Sequence, residues 1–147
     1  PSIKPVISEY STALSANSSV YDRFGGFRMY YYEAIMISVP ETGNYGILSE
    51  SSMDTYGYLY LNHFNPLNIE ENLIAGDNDK GDNLQFGIGY NFKSTKKYIL
   101  VVTTKDPLVV GPLSILAVGP KAVTFTPMEN ISTTTQSVST TSPELCE

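Results

Sequence analysis

Histidine, cysteine and tryptophan are almost missing from this chain. Its 147 residues include one histidine, one cysteine and no tryptophan. A catalytic triad, or a zinc site made of His and Cys ligands, has almost nothing to be built from. No G-x-S-x-G frame accompanies His63, which we interpret as a loop residue. We therefore expect that the protein is not an enzyme.

Positive charge and long apolar runs are also scarce. Nine Lys and Arg residues stand against fifteen Asp and Glu residues, which gives a formal net charge of −6. A protein that binds a phosphate backbone needs a basic surface, so this balance argues against a nucleic-acid partner. No apolar run approaches the roughly 20 residues of a membrane span. The chain begins with Pro1 and without a signal peptide, which we interpret as a processed or excised segment.

The middle of the chain has the pattern of a series of short strands. Tyr98–Thr104 is an almost continuous apolar run, which predicts a central strand covered on both faces. Leu84–Asn91 alternates between apolar and other residues, and Tyr30–Val39 divides into two faces in the same way. Further strands are predicted at Ser19–Phe24, Tyr45–Ser49, Tyr56–Asn62, Asn72–Ala75 and Leu113–Val118. About eight strands joined by Gly, Pro, Asn and Asp turns, with no helical periodicity, predict an all-β, antiparallel β-sandwich.

The two ends differ in composition from the middle. We expect an N-terminal extension or linker at residues 1–10, the sandwich at 11–126 and a Ser/Thr-rich stalk or linker at 127–147. Nine of the eleven residues from Ser132 to Ser142 are Ser or Thr, which is too polar a composition to form a core alone. Both a plain flexible spacer and an O-glycosylated stalk fit this composition.

Several residues favour the secretory route and an extracellular or cell-surface location. Asn17 and Asn130 each begin an N-x-S/T sequon without proline in the middle. Cys146 is the one cysteine of the chain, so it either forms a disulfide with another subunit or domain or stays an unpaired thiol. O-glycans on the stalk are expected first at Thr133, Thr134 and Thr135.

One segment is dense in oxygen ligands. Asp77–Asn83 (DNDKGDN) contains three Asp and two Asn residues. Ca²⁺ takes six to eight oxygens from carboxylates, amides and carbonyls, whereas Asn and Asp also stabilise turns through their own backbone. The segment is therefore either a Ca²⁺ site or an Asx-rich turn, and no other cofactor is expected. The candidate ligands are Asp54, Asp77, Asp79 and Asp82.

The eleven tyrosines are concentrated in runs such as Tyr30–Tyr32 and Tyr56–Tyr60. Exposed aromatic rings can stack on sugars. In a half-buried sheet, the rings pack against neighbours while their hydroxyls stay in water. The regular alternation of these runs favours packing over stacking.

Five stretches follow one another in a familiar order: YYYEAIMISV, DTYGYLYLNHFNP, NLIAGDNDKGDN, KKYILVVTT and GPLSILAVGP. In this order the chain from about Ser11 to Pro120 resembles the bacterial pre-peptidase C-terminal (PPC) domain and its relatives in large extracellular animal proteins. The resemblance implies a jelly-roll-like sandwich that is not catalytic and acts in adhesion, substrate targeting or spacing. Some relatives bind Ca²⁺ or a fibrous or polysaccharide ligand. The four aspartates named above match acidic positions of the pattern, and Glu33 stands where many relatives carry Asp.

The sequence therefore predicts a non-catalytic, extracellular structural or adhesive module that assembles with copies of itself or with adjacent domains. Pro1–Glu9 and Lys121–Phe125 are long enough to add as strands to a neighbouring copy, which would produce a filament. The alternative is a carbohydrate-binding or substrate-targeting module whose partner is a glycan. An edge strand that packs on another subunit favours the first function, and an aromatic platform with a polar rim favours the second.

Overall fold

A computed structural model describes residues 4–22, 29–77 and 85–128 of the chain. Within these ranges the chain forms ten β-strands, and no helix there could span a membrane. The strands are β1 Val6–Leu14, β2 Ser19–Asp22, β3 Met29–Ser38, β4 Gly43–Ser51, β5 Thr55–Leu61, β6 Leu73–Asp77, β7 Gly87–Phe92, β8 Tyr98–Thr104, β9 Gly111–Gly119 and β10 Thr124–Pro127.

The strands form two antiparallel sheets packed face to face. The four-stranded sheet has the order β1-β9-β4-β7, and the six-stranded sheet contains β10-β3-β8-β5-β6 with β2 paired to β3. Without β2 and β10, the other eight strands have the connectivity of a jelly roll, in which consecutive strands mostly alternate between the two sheets. The predicted all-β sandwich is therefore confirmed, with ten strands instead of about eight.

The central strand β8 is buried along its whole length. Leu100 and Val102 belong to the core between the two sheets, whereas Ile99 and Val101 face a second apolar cluster on the outside of the six-stranded sheet. Both faces of β8 are thus covered, as its continuous apolar run predicts. The outer cluster also contains Tyr21, Tyr30 and Tyr60, which are 1 to 2% exposed.

The first strand lies within the sandwich and begins before residue 11. Val6 pairs with Gly119, and the register continues to Leu14 opposite Gly111. The predicted boundary after residue 10 therefore falls inside β1. One edge of this segment pairs with β9 of the same chain.

The segment after β9 also pairs within the chain, because Thr124–Pro127 forms β10 beside β3.

The Glu33 carboxylate joins β3 of the six-stranded sheet to β1 of the four-stranded sheet. The Tyr10 hydroxyl and the Thr12 hydroxyl each donate a hydrogen bond of 2.6 Å to Glu33. Burial, together with the bond to Glu33, raises the pKa of Tyr10 to about 12.

Candidate functional site

The segment of residues 62–72, here called the border loop, begins and ends at the same point of the six-stranded sheet. The Leu61 N–H donates to the Asn72 carbonyl at 2.9 Å, and the Asn62 N–H donates to the Lys97 carbonyl at 2.9 Å. Asn62 and Asn72 have φ angles of 74° and 64°, a left-handed conformation that Asn tolerates better than most residues. The border loop is therefore a closed Ω-type loop between β5 and β6.

Polar side chains hold the border loop in one conformation. The Glu71 carboxylate lies 2.9 Å from His63 Nε2 and accepts a hydrogen bond of 3.2 Å from Asn65 Nδ2. Both bonds lower the pKa of Glu71, and the bond with His63 has the larger effect. The Leu67 N–H donates to Asn65 Oδ1 at 3.0 Å, and the Glu71 N–H donates to the Asn68 carbonyl at 3.1 Å. Exposed ion pairs add little stability, so the value of this network lies in the shape that it gives the loop.

Two apolar residues fasten the border loop to the outside of the sheet. The Phe64 ring lies 5.6, 5.3 and 4.7 Å from the rings of Tyr21, Tyr32 and Tyr60. The Tyr60 hydroxyl donates a hydrogen bond of 2.7 Å to the Ile69 carbonyl. Burial raises the pKa of Tyr60. The sequence interpretation is that the tyrosine rings pack while their hydroxyls stay in water. The Tyr60 hydroxyl instead bonds to a backbone carbonyl of the protein.

A cleft of about 560 Å³ lies between the border loop and side chains of β2, β5 and β6. Its floor includes the nearly buried Tyr21 and Tyr60, and the half-buried Tyr58 lies beside them. The apolar part of its rim is exposed, since Leu67 is 94% and Leu73 38% accessible. The cleft thus offers aromatic and aliphatic surface to a ligand.

The polar part of the cleft consists of oxygen-bearing side chains. Asp22, Asn68 and Glu70 line it. None of the described residues that line the cleft is Lys, Arg or His. Carboxylate oxygens accept hydrogen bonds, and the amide of Asn68 can both accept and donate. The described lining can therefore accept hydrogen bonds from a ligand that carries several donors.

The predicted Ca²⁺ ligands are only partly within the described residues. Asp54 directly precedes β5, and the backbone of Asp77 pairs with Gly57, three residues further along that strand. The two positions therefore lie toward the same end of the sheet. Asp79 and Asp82 lie outside the described residues. In the ranges that the structure covers, no group of three His, Cys, Asp or Glu side chains could hold a metal ion.

The predicted modification sites are placed as follows. Asn17 is exposed in the turn between β1 and β2, where the Ser18 N–H donates to the Ser15 carbonyl at 3.0 Å. The other predicted sites, Asn130, Thr133, Thr134, Thr135 and Cys146, lie outside the described residues.

The sequence interpretation of His63 as a loop residue is correct, since the histidine lies between β5 and β6. It missed the cleft that this loop borders. The available signal was the presence of Phe64, Leu67 and Ile69 in a segment otherwise rich in Asn, Pro and Glu. Apolar residues at such positions need a surface to pack on, and here two of the three find one.

No family model and no curated protein matches this chain. Its function is therefore inferred from the chemistry of the cleft and from the sequence features around it.

Proposed function

We propose that this chain is a non-catalytic, extracellular adhesive module that holds its ligand in the cleft beside the border loop. The observation that carries the proposal is the cleft itself, which has an aromatic floor and is bordered by a loop anchored through Phe64 and Tyr60. A site that is already formed loses little entropy on binding, which favours affinity. The sequons, the Ser/Thr-rich stalk and the resemblance to PPC domains support the extracellular role.

A neutral carbohydrate is the ligand that fits this chemistry best. Sugar hydroxyls are donors to the carboxylates of Asp22 and Glu70, and the apolar face of a pyranose ring can pack on the half-buried Tyr58. An anionic ligand would meet the carboxylate of Glu70 on a chain with a formal charge of −6. The cleft volume lies within the range of ordinary small-ligand sites.

The Glu71 carboxylate of the border loop is not suited to general-acid catalysis. A glycosidase needs one carboxyl group with a raised pKa to act as a general acid. The pKa of Glu71 is instead lowered by its hydrogen bonds with His63 and Asn65. This direction keeps Glu71 ionised, which suits a structural role in the loop.

A glycan array with the full chain tests this proposal. We expect binding to a neutral glycan, and a loss of affinity of about tenfold in both Tyr58→Ala and Glu70→Gln. Glu41→Gln is the matched control, because Glu41 is exposed between β3 and β4, away from the cleft. If no neutral glycan binds, or if the control loses as much affinity as Glu70→Gln, the proposal is wrong.

Assembly between copies is a second candidate function, favoured by the edge of the four-stranded sheet. Among the described strands, β1 pairs only with β9, so its other edge has backbone groups available to a further strand. Val6 is 36% and Ile7 66% exposed near the start of this strand. Sedimentation velocity over a wide concentration range tests it, and a monomer at every concentration would exclude it.

A further inference from the structure

Two glycines face each other in the four-stranded sheet, and no contact among the described residues requires them. Gly46 of β4 pairs with Gly89 of β7. A Cβ atom added at either position would meet nothing within 4 Å, and neither glycine has a left-handed φ. By contrast, a Cβ at Gly57 would lie 2.6 Å from the ring of Phe86. Glycine weakens a strand, and one in a strand interior often marks the close approach of another backbone or ligand.

The same cross-strand row carries a projecting side chain at its other end. Ile7 of β1 pairs with Val118 of β9, which pairs with Gly46, which pairs with Gly89. Ile7 is 66% exposed, whereas the two glycines leave bare backbone. The row therefore has an aliphatic knob at β1 and a hollow at β4 and β7.

The next row toward the middle of the sheet also has a glycine at β7. Glu9, Leu116, Leu48 and Gly87 follow one another from β1 to β7. Their side chains alternate with those that point into the core, so all four positions lie on the outer face. Leu116 and Leu48 are half-buried there, and they continue the apolar surface of the first row.

We infer that the outer face of the four-stranded sheet binds the same face of a second copy of this chain. A two-fold axis parallel to the strands reverses the strand order and keeps the rows in register. It places Ile7 of each copy over Gly89 of the other, Val118 over Gly46, and Leu116 over Leu48. The face is complementary to itself because the knob and the hollow lie at opposite ends of one row.

The charged residues of the face are compatible with this pairing. The same axis places Glu9 over Gly87, so this carboxylate meets no like charge. Glu50, which pairs with Ser114 in the sheet, lies over the Ser114 position of the second copy. A serine hydroxyl can donate to a carboxylate, so this contact is favourable.

The area of the face gives the size class of the interface. With a strand spacing of about 4.8 Å and a rise of about 3.3 Å per residue, four strands cover on the order of 500 Å² per copy. The total of roughly 1,000 Å² lies at the lower limit for a specific interface, so the dimer is weak and reversible. The inference rests on assembly between copies, the second candidate function, and is independent of the carbohydrate cleft. The cleft lies outside the other sheet, so a dimer carries two ligand sites and gains avidity.

Exchange of the knob and the hollow tests the inference. Sedimentation velocity of the full chain from micromolar to millimolar concentration measures dimerisation for the wild type, Ile7→Gly, Gly89→Ile and the double variant. We expect each single change to weaken dimerisation about tenfold or more, and the double variant to restore it because its knob and hollow have only changed places. Gly89→Ile should fold, because the space above Gly89 is open. Leu73→Lys, in the cleft, is the control that should dimerise like the wild type.

Three results would overturn the inference. If the wild type is a monomer at every concentration, both this face and the assembly function are excluded. If the wild type dimerises and both single variants dimerise equally well, assembly occurs but uses another surface. If the single variants lose the dimer and the double variant does not regain it, the proposed registration of the two faces is wrong.

Discussion

The anchoring of the border loop by Phe64 leads to a prediction with a defined size. Phe64→Ala removes a half-buried ring that contacts three tyrosine rings at centroid distances of 4.7 to 5.6 Å. Full truncation of a core Phe costs about 3–5 kcal/mol, and a half-buried ring loses about half of that. We therefore expect the free energy of unfolding to fall by about 2 kcal/mol. For a domain of this size, the Tm should fall by about 8 °C.

The same substitution should release the loop locally and impair the cleft. Hydrogen exchange of the amides of Asn68 and Glu71, which are bonded within the loop, should become faster than in the wild type. Glycan affinity should fall together with this protection, because the rim of the cleft is no longer held in place. Urea unfolding, hydrogen exchange and glycan binding measure the three effects on one protein.

Phe125→Ala is the matched control for this experiment. Phe125 is also half-buried and lies 5.8 Å from a single tyrosine ring, that of Tyr10, at the other side of the six-stranded sheet. It should lower stability by a similar or smaller amount and leave the loop amides and glycan binding unchanged. If Phe64→Ala retains wild-type exchange and binding, or if Phe125→Ala impairs both equally, Phe64 is not the anchor of the loop.

Four further predictions concern other parts of the chain. The raised pKa of Tyr10 means that its contribution to stability is complete below pH 10 and is lost as the pH rises toward 12; Glu33→Gln should lower this pKa in a 295 nm titration, and unchanged curves would refute the coupling. Ser49→Ala removes a buried hydroxyl with three hydrogen-bond partners and should cost about 2–3 kcal/mol in urea unfolding, whereas the exposed Ser11→Ala should cost less than about 0.5 kcal/mol; equal losses would contradict this argument. If the four predicted aspartates bind Ca²⁺, the Tm in millimolar Ca²⁺ should exceed that in chelator by several degrees, and equal values favour the Asx-rich turn. If Asn17 is glycosylated, the mass of the Asn17→Gln variant should be lower than that of the wild type by the mass of one glycan. A wild-type mass equal to that of the bare polypeptide would exclude the modification.

The sequence predicts those strands in which the order of apolar and polar residues matches the burial of each face. The apolar run of β8 reflects coverage on both faces, and the alternation around Ile88 and Phe92 reflects a strand with one buried face. In both cases burial selects the residue type at every position. Local sequence is then sufficient to predict the strand and its facing.

The strands that were not counted lie at sheet edges, and β1 directs mainly polar side chains inward. β1 points Ser8, Tyr10 and Thr12 toward the other sheet, and β10 contains only four residues. Their partners are distant in sequence, since Val6 pairs with Gly119 and Pro127 with Ile35. Such pairing is decided by the tertiary fold, so the local pattern carries little of it.

The cleft was missed for a related reason. The packing of the tyrosine rings could be predicted from their alternation, but the border loop covers them through contacts made only in the folded chain. The bond from the Tyr60 hydroxyl to the Ile69 carbonyl joins residues nine apart across a turn of irregular shape. No periodicity describes such a turn, so the rim of the cleft had to be seen in three dimensions.

The hydrogen bond between Leu61 and Asn72 closes the border loop, so the length and sequence of the loop can change while the strands stay paired. Its two ends meet beside β5 and β6, so an insertion that keeps the packing of Phe64 and Ile69 leaves the strand pairing unchanged. The entropy cost of closing a loop grows slowly, by about 0.6 kcal/mol for each doubling of its length. A change of ligand specificity therefore requires a new segment at one position and no redesign of the core. The sandwich can serve as a constant frame for many different recognition loops.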